Sequence, residues 1–203
     1  MIETGLLSPN DESGSRSRIL AAAMALFGER GYASTSLRAI ANEVGMTPPA
    51  LYWYFPSKQA ILYALLRASV FNFLEAVEAE VVGPSPGDRL RQFVRARVVA
   101  TLGQPRMGPY EPLYGVRQLA RFLSEEQRAE LVAGQRRHLD LLRSTLADGI
   151  NGGSFRELNV TATAFAIMSM CDFVNSWWRP DGRIGAEELA AQYVDLIMRM
   201  VSA

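Results

Sequence analysis

The sequence contains very few of the residues on which enzymes and metal proteins depend. It has one cysteine, Cys171, and one histidine, His138, among 203 residues. A disulfide framework is therefore excluded, and so is a zinc site built mainly from cysteine and histidine. A Ser–His or Cys–His catalytic pair would have to use His138, and no Gly-rich phosphate loop or H-E-x-x-H motif occurs. We therefore do not expect an enzyme, a metal site or a cofactor.

Net charge is also lacking, because 21 basic residues balance 21 acidic ones. Binding to nucleic acid would have to depend on a local patch. The period-two alternation of apolar and polar residues that marks strands is missing as well. Apolar residues recur instead at helical spacing from Ile19 to Met200. The sequence therefore predicts an all-α fold.

The sequence also lacks a recognisable signal peptide or membrane-spanning segment. The first fifteen residues have no basic start and no long apolar run, so they do not form a signal peptide, and residues 1–14 are predicted to be a flexible N-terminal segment. The most membrane-like stretch, 160–178, is interrupted by Asp172 and Asn175 and is interpreted as a buried helix. We expect a cytoplasmic protein without membrane contact, which suits the unpaired Cys171.

Helical periodicity, caps and Gly or Pro stop signals divide the chain into helices. The first carries the apolar stripe Ile19–Phe27 and stops before Gly31. Thr35 is the predicted N-cap of the second helix, at 37–44. The predicted helices that follow are 48–54, a long helix capped by Ser57, 88–102, 111–122, 125–147, 159–178 and 186–201.

Residues 35–54 carry the most informative motif. Two short helices are joined by a tight turn at residues 45–47. Thr47 can cap the second helix, and Pro48-Pro49 fits its first turn, where backbone N–H groups have no intrahelical acceptor. This arrangement is typical of a helix-turn-helix, whose second helix enters the major groove of DNA.

Aromatic residues dominate the second of these helices. Leu51 and Phe55 are four residues apart and should face the core, which leaves Tyr52, Trp53 and Tyr54 largely outward. Tyrosine hydroxyl groups can bond to phosphate oxygens, and aromatic faces can pack on thymine methyl groups or sugars. A helical bundle with no DNA partner would leave these outward aromatics unexplained.

Basic residues are concentrated in the same segment. Between Arg16 and Lys58 there are five basic residues, Arg38 among them, and two acidic ones. Lys58 stands at the start of the long helix, where the helix dipole disfavours a cation. An external anion such as a DNA phosphate would explain its position.

The segments just described resemble the DNA-binding domain of the TetR family of bacterial transcriptional regulators. The matching stretches are Arg18-Ile19-Leu20-Ala21-Ala22, Leu26-Phe27-Gly28-Glu29-Arg30-Gly31-Tyr32, Thr35-Ser36-Leu37-Arg38-Ala39-Ile40-Ala41, Val44-Gly45-Met46-Thr47 and Leu51-Tyr52-Trp53-Tyr54-Phe55-Pro56-Ser57-Lys58. The resemblance implies a three-helix helix-turn-helix domain at 15–58. It implies a helical ligand-binding and dimerisation domain at 59–203.

The resemblance also implies roles for single residues at the DNA. Tyr52 and Lys58 would hold phosphates, and Thr35 or Ser36 would contact the DNA backbone. Residues assigned to base reading are Thr47, Pro48, Pro49, Trp53 and Tyr54. Ala50 stands where the family often has a hydroxyl and Tyr54 where it often has histidine, so the operator sequence stays open.

A homodimer and an effector pocket are further implications of the resemblance. The dimer would form through the helices at 159–178 and 186–201 and bind a palindromic operator. An effector would bind among the helices between 88 and 178 and release the DNA. Arg136-Arg137-His138 is more typical of a solvated face. The candidate effector contacts are Phe93, Met107, Tyr110, Tyr114, Phe122, His138, Met168, Phe173, Trp177 and Arg179.

Two classes of effector remain open at this point. The run from Trp177 to Ile184 looks like a branch of the family that controls fatty-acid and sterol breakdown and often senses acyl-CoA thioesters. Arg179 or Arg183 could then hold CoA phosphates. The alternative is a repressor of an efflux pump that senses aromatic or cationic drugs, for which buried acidic residues would be needed. The candidates for such a residue are Glu111, Asp140 and Asp172.

Overall fold

A computed structural model of the chain describes residues 9–103 and 119–203, and these residues confirm the all-α fold. Apart from helices they contain turns and one isolated bridge between Phe155 and Ser202. The named helices of the described residues are α1 (Pro9–Arg30), α2 (Leu37–Glu43), α3 (Pro48–Tyr54), α4 (Lys58–Glu80), α5 (Pro86–Gly103), α6 (Glu125–Asn151), α7 (Val160–Trp177) and α8 (Ala186–Val201).

The described residues form two compact units. The N-terminal unit runs to Arg67 and also includes residues 119–125, while the C-terminal unit comprises 68–103 and 126–203. The division therefore falls inside α4, whereas the domain boundary predicted from the sequence lies at its first residue. Since α4 is one continuous helix, it belongs to both units.

Helices α1 to α3 of the N-terminal unit bury the apolar positions that the sequence predicts. Ile19 and Phe27 on α1, Ile40 on α2, and Leu51 and Phe55 at α3 are all nearly inaccessible to solvent. Leu51 and Phe55 thus face the core, as predicted.

The start of α1 corrects one prediction. The helix begins at Pro9, so residues 9–14 are helical and not part of a flexible segment. Proline favours the first turn of a helix because its missing N–H would have no intrahelical acceptor there. At the other end of α1, Gly31 adopts a φ of 79° that suits glycine and stops the helix.

In the C-terminal unit, α5 packs against both α7 and α8. The predicted helices 159–178 and 186–201 are confirmed, and the side chain of Asn159 accepts a hydrogen bond from the Ala162 amide at the start of α7. Buried apolar side chains of this unit include Val77, Leu90, Phe93, Val94, Val98, Leu142, Leu146, Ile167, Val174, Leu189 and Ile197.

Helix α6 is longer than the sequence predicts, because it continues to Asn151 and not only to 147. Gly149 does not end it. The buried ring of Phe155 packs where a Cβ of Gly149 would be, so this glycine provides space inside the helix. The stop comes at Gly153, which has a φ of 71°. The predicted helix at 111–122 lies largely outside the described residues.

Helix α4 is the one helix of the described residues that is long and apolar enough to cross a membrane by length and composition. Its apolar positions recur at helical spacing and are buried inside the protein, as Leu62, Leu66, Val70 and Leu74 show. A core helix of a globular unit has this pattern. We interpret α4 as such a helix.

Candidate nucleic-acid interface and effector-binding unit

Serine and threonine side chains position the two short helices. The Oγ atom of Ser36 accepts the Ala39 amide at 3.1 Å and caps α2, and the Oγ1 atom of Thr47 accepts the Ala50 amide at 3.4 Å and caps α3. The Thr47 cap was predicted, but Thr35 is not the cap of α2. Thr35 is buried, and its hydroxyl contacts the carbonyls of Leu26 and Gly31. It is therefore not placed to reach a DNA backbone.

Two arginines of α1 hold the ends of the helix-turn-helix. Arg16 Nη1 donates to the Tyr54 carbonyl at 2.9 Å, and its guanidinium lies 4.3 Å from the Phe55 ring centroid. Arg18 Nη2 donates to the Val44 carbonyl, also at 2.9 Å. These carbonyls lie at the C-terminal ends of α3 and α2, where helices leave acceptors without intrahelical donors. The two arginines therefore fix α2 and α3 on α1.

Lys58 makes a third contact of this kind, so its position does not require the phosphate contact that is predicted from the sequence. Its ammonium group donates to the carbonyls of Tyr32, Ala33 and Thr35 at 2.7, 3.3 and 2.7 Å, and lies 4.4 Å from the Tyr32 ring centroid. An ammonium group has three hydrogens, so these carbonyls occupy all of them. The partner of the Lys58 ammonium group in this structure is the loop between α1 and α2, whereas the sequence predicts a DNA phosphate.

The outer surface of α3 carries most of the residues predicted to contact DNA. Tyr52 is 52% exposed and Trp53 is 65% exposed. Thr47 and Pro49 are exposed beside them, and Pro48 is half-buried. The surface also carries Ser36 and Arg38 of the preceding helix segment, both exposed. Among the described residues the guanidinium of Arg38 has no hydrogen-bond or ion-pair partner, so it is available to an anion.

Tyr54 is the exception among the three aromatics predicted to point outward. It is only 7% exposed, because it lies three residues after the buried Leu51 and so shares its face. Its ring packs edge-on against Trp53, with 4.8 Å between ring centroids. Tyr54 thus supports Trp53 and does not face a DNA groove.

A chain of polar side chains crosses the interior of the C-terminal unit. Arg97 on α5 is 3% exposed, and its Nε and Nη2 atoms both contact Oδ1 of Asp172 on α7, at 2.8 and 2.7 Å. Its Nη1 atom lies 3.1 Å from Nδ1 of His138 on α6. The other ring nitrogen of His138 lies 3.0 Å from the Leu74 carbonyl on α4. Four helices are therefore connected through three side chains.

His138 is fully buried, which corrects the prediction that it lies on a solvated face. Burial, with the neighbouring positive charge of Arg97 as a second cause, lowers the pKa of His138 to about 4. The imidazole is therefore neutral near pH 7. Burial also raises the pKa of Asp172, while Arg97 opposes that change.

Arg97 was not among the predicted site residues. It occupies the apolar stripe of α5, four residues after Phe93 and four before the buried Thr101. A charged residue on an apolar stripe is the signal that could have identified it.

The other predicted effector contacts are not brought together. Phe93 is buried beside His138, and Met168 is half-buried against the same core. Phe173, Trp177 and Arg179 are exposed, so they do not line an interior cavity. Phe122 packs on Tyr32 within the N-terminal unit, which corrects its assignment to the effector-binding unit. Three further candidates, Met107, Tyr110 and Tyr114, lie outside the described residues.

Exposed apolar side chains are concentrated on three helices. Of the eight large ones among the described residues, Tyr52 and Trp53 lie on α3 and four more lie on α7 and α8. Phe165, Phe173 and Trp177 are eight and four residues apart, so they share one face of α7. The fourth is Leu196 on α8. Each unit therefore has exposed apolar side chains, on α3 in one and on α7 and α8 in the other, and exposed apolar surfaces commonly mark interfaces.

Family models of known proteins match residues in both units. Residues 19–65 match the family model described as bacterial regulatory proteins of the tetR family, and residues 83–201 match a tetracyclin repressor-like C-terminal domain. The chain belongs to the TetR family. It is a helix-turn-helix transcriptional regulator with an N-terminal DNA-binding domain and a C-terminal ligand-binding domain.

Individual TetR-family relatives align over nearly the whole chain. The transcriptional repressor KstR2 of Rhodococcus jostii is 26% identical over 197 residues, covering 92% of this chain and 91% of its own. The solved structure of PfmR from Thermus thermophilus is 35% identical with a TM-score of 0.76, covering 90% of this chain and 97% of its own. AibR, solved with isovaleryl coenzyme A and operator DNA, is 27% identical with a TM-score of 0.75, covering 89% and 96%.

Proposed function

We propose that this TetR-family protein is a homodimeric repressor that binds a palindromic operator and is released from it by an acyl-CoA thioester. Operator binding requires access to the chromosome, so the protein acts in the cytoplasm. The observation that carries the effector class is the charge balance in the interior of the C-terminal unit, where Arg97 and Asp172 neutralise each other.

The surface of α3 supports the operator contact. Tyr52 and Trp53 project outward, and Thr47 and Ser36 keep hydroxyl hydrogens free to donate after their oxygens have capped the helices. Arg38 on α2 is exposed and supplies a positive charge. Tyr52 and Arg38 thus take the phosphate contacts, while Trp53 and the prolines offer apolar contact to bases.

The exposed face of α7 supports the dimer. Phe165, Phe173 and Trp177 would be costly to leave in water, and α8 also exposes an apolar side chain, Leu196. A two-fold interface brings the same patch of two copies together. Phe173 and Trp177, which the sequence predicts as effector contacts, would instead belong to this interface.

The charge balance argues against the cationic drugs within the alternative effector class, although a neutral aromatic drug would be as compatible with it as an acyl group. A cationic drug needs an unpaired buried acid, but Asp172 is bound by Arg97, and Asp140 is exposed and paired with Arg143. Glu111 lies outside the described residues. A neutral acyl or steroid-like group needs no such partner. The CoA phosphates would stay at the surface, where Arg179 and Arg183 are exposed.

A gel shift on the DNA upstream of the protein's own gene tests this function. Isovaleryl-CoA, a long-chain acyl-CoA and a sterol-derived acyl-CoA are compared with their free acids. We expect a wild-type shift that at least one thioester releases and its free acid does not. A protein that never shifts this DNA, or a shift that no thioester disturbs, contradicts the proposal.

A matched pair of variants tests where the CoA phosphates bind. Arg179→Gln should retain operator binding but need at least fivefold more thioester for release. Arg91→Gln is the control, because Arg91 is also exposed and pairs with Asp88 in its own helix. Equal responses of the two variants would exclude Arg179 from the CoA site.

A further inference from the structure

A small cleft lies in the N-terminal unit beside the end of α1. Its volume is about 160 Å³, and all the residues that line it belong to that unit. The loop at 31–34 contributes to its wall, together with two arginines, Arg30 and Arg121. Pockets for drug-sized ligands usually measure about 300–1,000 Å³, whereas one water takes about 30 Å³ of the liquid. The cleft therefore suits a small ion or a single polar group and not a whole effector.

The hydrogen bonds of the loop leave donors on one of its sides. The carbonyls of Tyr32 and Ala33 accept from the Lys58 ammonium group at 2.7 and 3.3 Å. A trans peptide directs its N–H opposite to its carbonyl, so the amides of Ala33 and Ser34 point away from Lys58. Among the described residues neither amide has a hydrogen-bond acceptor. Two neighbouring donors of the loop are thus available to an anion.

Positive charge surrounds the same loop. Lys58 is bound on its carbonyl side, and Arg30 and Arg121 line the cleft. The guanidinium of Arg121 lies 4.7 Å from the Phe122 ring centroid and has no hydrogen-bond or ion-pair partner in the described part of the chain. Arg30 pairs with Glu29 at 3.5 Å, and both side chains are more than half exposed. Such an exposed pair is weak, so an anion of higher charge can compete for Arg30.

The carbonyl end of α1 would by itself disfavour an anion near the cleft. Several carbonyls there are already engaged, because the Thr35 hydroxyl contacts those of Leu26 and Gly31 and the Gly31 amide donates to that of Phe27. None of the described residues that line the cleft is acidic. The local balance of charges and dipoles therefore favours an anion.

We propose that this cleft is a binding site for a phosphate group, either inorganic phosphate or the monoester phosphate of a small organic molecule. Arg30 and Arg121 bind the phosphate oxygens, and the hydroxyl of Ser34 donates to them. The amides of Ala33 and Ser34 complete the site, since adjacent turn amides form a concavity that binds anions. A carboxylate has two oxygens and one charge, so it uses fewer of these donors.

A small molecule fits the cleft better than operator DNA does. A phosphate group that is free or at the end of a small molecule can enter a recess of this size, whereas the phosphates of a duplex lie on the outside of a wide rod. The surface proposed above to contact DNA is formed by Ser36, Arg38 and α3, and the cleft is lined by other residues. The site therefore adds a ligand to the N-terminal unit and does not depend on the class of effector.

Calorimetric titration of the full-length protein with inorganic phosphate tests the site, in a chloride buffer of constant ionic strength. Methyl phosphate and acetate are titrated in the same way. We expect saturable binding of both phosphates and at least fivefold weaker binding of acetate. Tighter binding of methyl phosphate would indicate an organic phosphate as the source, and tighter binding of inorganic phosphate the free ion. No saturable binding of either phosphate, or acetate binding as tight as theirs, would overturn the proposal.

A matched pair of variants tests which residues hold the phosphate. Arg121→Gln removes an exposed guanidinium from the cleft, and its control Arg136→Gln removes an exposed guanidinium from α6 of the other unit. We expect Arg121→Gln to bind phosphate at least tenfold more weakly, the loss expected for one charge-assisted hydrogen bond, and Arg136→Gln to bind like wild type. Arg30→Gln should be weakened by a similar factor. If all these proteins respond alike, phosphate acts only as a generally stabilising salt and the site is overturned.

The salt dependence of operator binding distinguishes this site from a contact with DNA. Arg121→Gln should keep the wild-type slope, because its guanidinium binds a small phosphate and not the operator. Its melting temperature in chloride should also match wild type, since the side chain is exposed. A weakened phosphate response then reports a lost contact and not unfolding. A slope reduced by about one would assign Arg121 to a phosphate of the DNA and overturn the proposal.

Discussion

The two units of this TetR-family protein use their cations in opposite ways. In the N-terminal unit Arg16, Arg18 and Lys58 lie at the surface and donate to backbone carbonyls at helix ends and in a loop. In the C-terminal unit Arg97 is buried and binds the side chains of Asp172 and His138. The first arrangement stabilises a local backbone shape, whereas the second holds four helices together around an interior.

This difference has a consequence for function. A DNA-binding unit must present its recognition helix in a fixed position. The cations that bond to the ends of α2 and α3 help to hold these helices in place. An effector-binding unit must respond to a ligand, and a polar chain in its interior has partners that a ligand can displace. Most basic side chains between residues 16 and 58 therefore bind groups of the protein itself. Among the described residues of this segment, Arg38 is the cation left to bind DNA.

Removing the buried cation should have the largest effect on stability. Arg97→Leu leaves the Asp172 carboxylate without its partner in the interior, and breaking a buried pair from one side typically costs about 3–5 kcal/mol. Urea unfolding measures the loss. The matched control is Arg199→Leu, which removes an exposed pair and should change stability little. Similar losses in both variants would refute the contrast between the two units.

Acidification should weaken the same interior through His138. The pKa of His138 is lowered to about 4, so between pH 6.5 and 4 the unfolded chain binds a proton that the folded chain does not. The free energy of unfolding should therefore fall over this window, by up to about 3 kcal/mol. His138 is the chain's single histidine, so His138→Gln should lack this component. A variant with the wild-type pH profile would argue against a buried neutral imidazole.

Loss of Lys58 should lower the free energy of unfolding by less than these changes do. It should affect stability more than it affects the contacts with DNA. Lys58→Ala removes three hydrogen bonds to the loop carbonyls, at a partly exposed site, and should lower the free energy of unfolding by about 1–2 kcal/mol. The dependence of operator affinity on salt should keep its slope. A slope reduced by about one would restore the phosphate contact predicted from the sequence.

Substitution of Arg38 should have the opposite pattern to that of Lys58. It should weaken a DNA contact and have the smallest effect on stability. Arg38→Ala removes a charge from an exposed surface position, so unfolding should be nearly unchanged. The salt slope of operator binding should fall by about one, as expected for one phosphate contact. Titrations of the two alanine variants at several salt concentrations make the comparison. If Arg38→Ala keeps the full slope, Arg38 does not contact a phosphate.

The fold and the exposure of most α3 side chains could largely be predicted from the sequence because their signals are local. The Thr47 cap, the prolines of α3 and the apolar pairs within one helix all lie within a few residues of each other. Tyr54 was misplaced for a related reason. On a helix of two turns, Leu51, Tyr54 and Phe55 share one face, and only the packed structure shows that all three fit against the core.

The interior of the C-terminal unit could not be predicted because its contacts join distant positions. Arg97 is 75 residues from Asp172 and 41 from His138, and His138 is 64 from Leu74. The neighbouring Arg136 and Arg137 favour a solvated face for His138, but residues next to each other in a helix point in different directions. The partners of a buried charge are fixed by tertiary packing and leave no local pattern.

The most direct test of the neutral interior is a calorimetric titration of the wild-type protein with two ligands of different charge. One is isovaleryl-CoA, whose acyl group is neutral, and the other is tetraphenylphosphonium, a lipophilic cation. The account predicts saturable binding of the thioester, in competition with operator DNA, and no binding of the cation. Saturable binding of tetraphenylphosphonium that also releases the operator would contradict it.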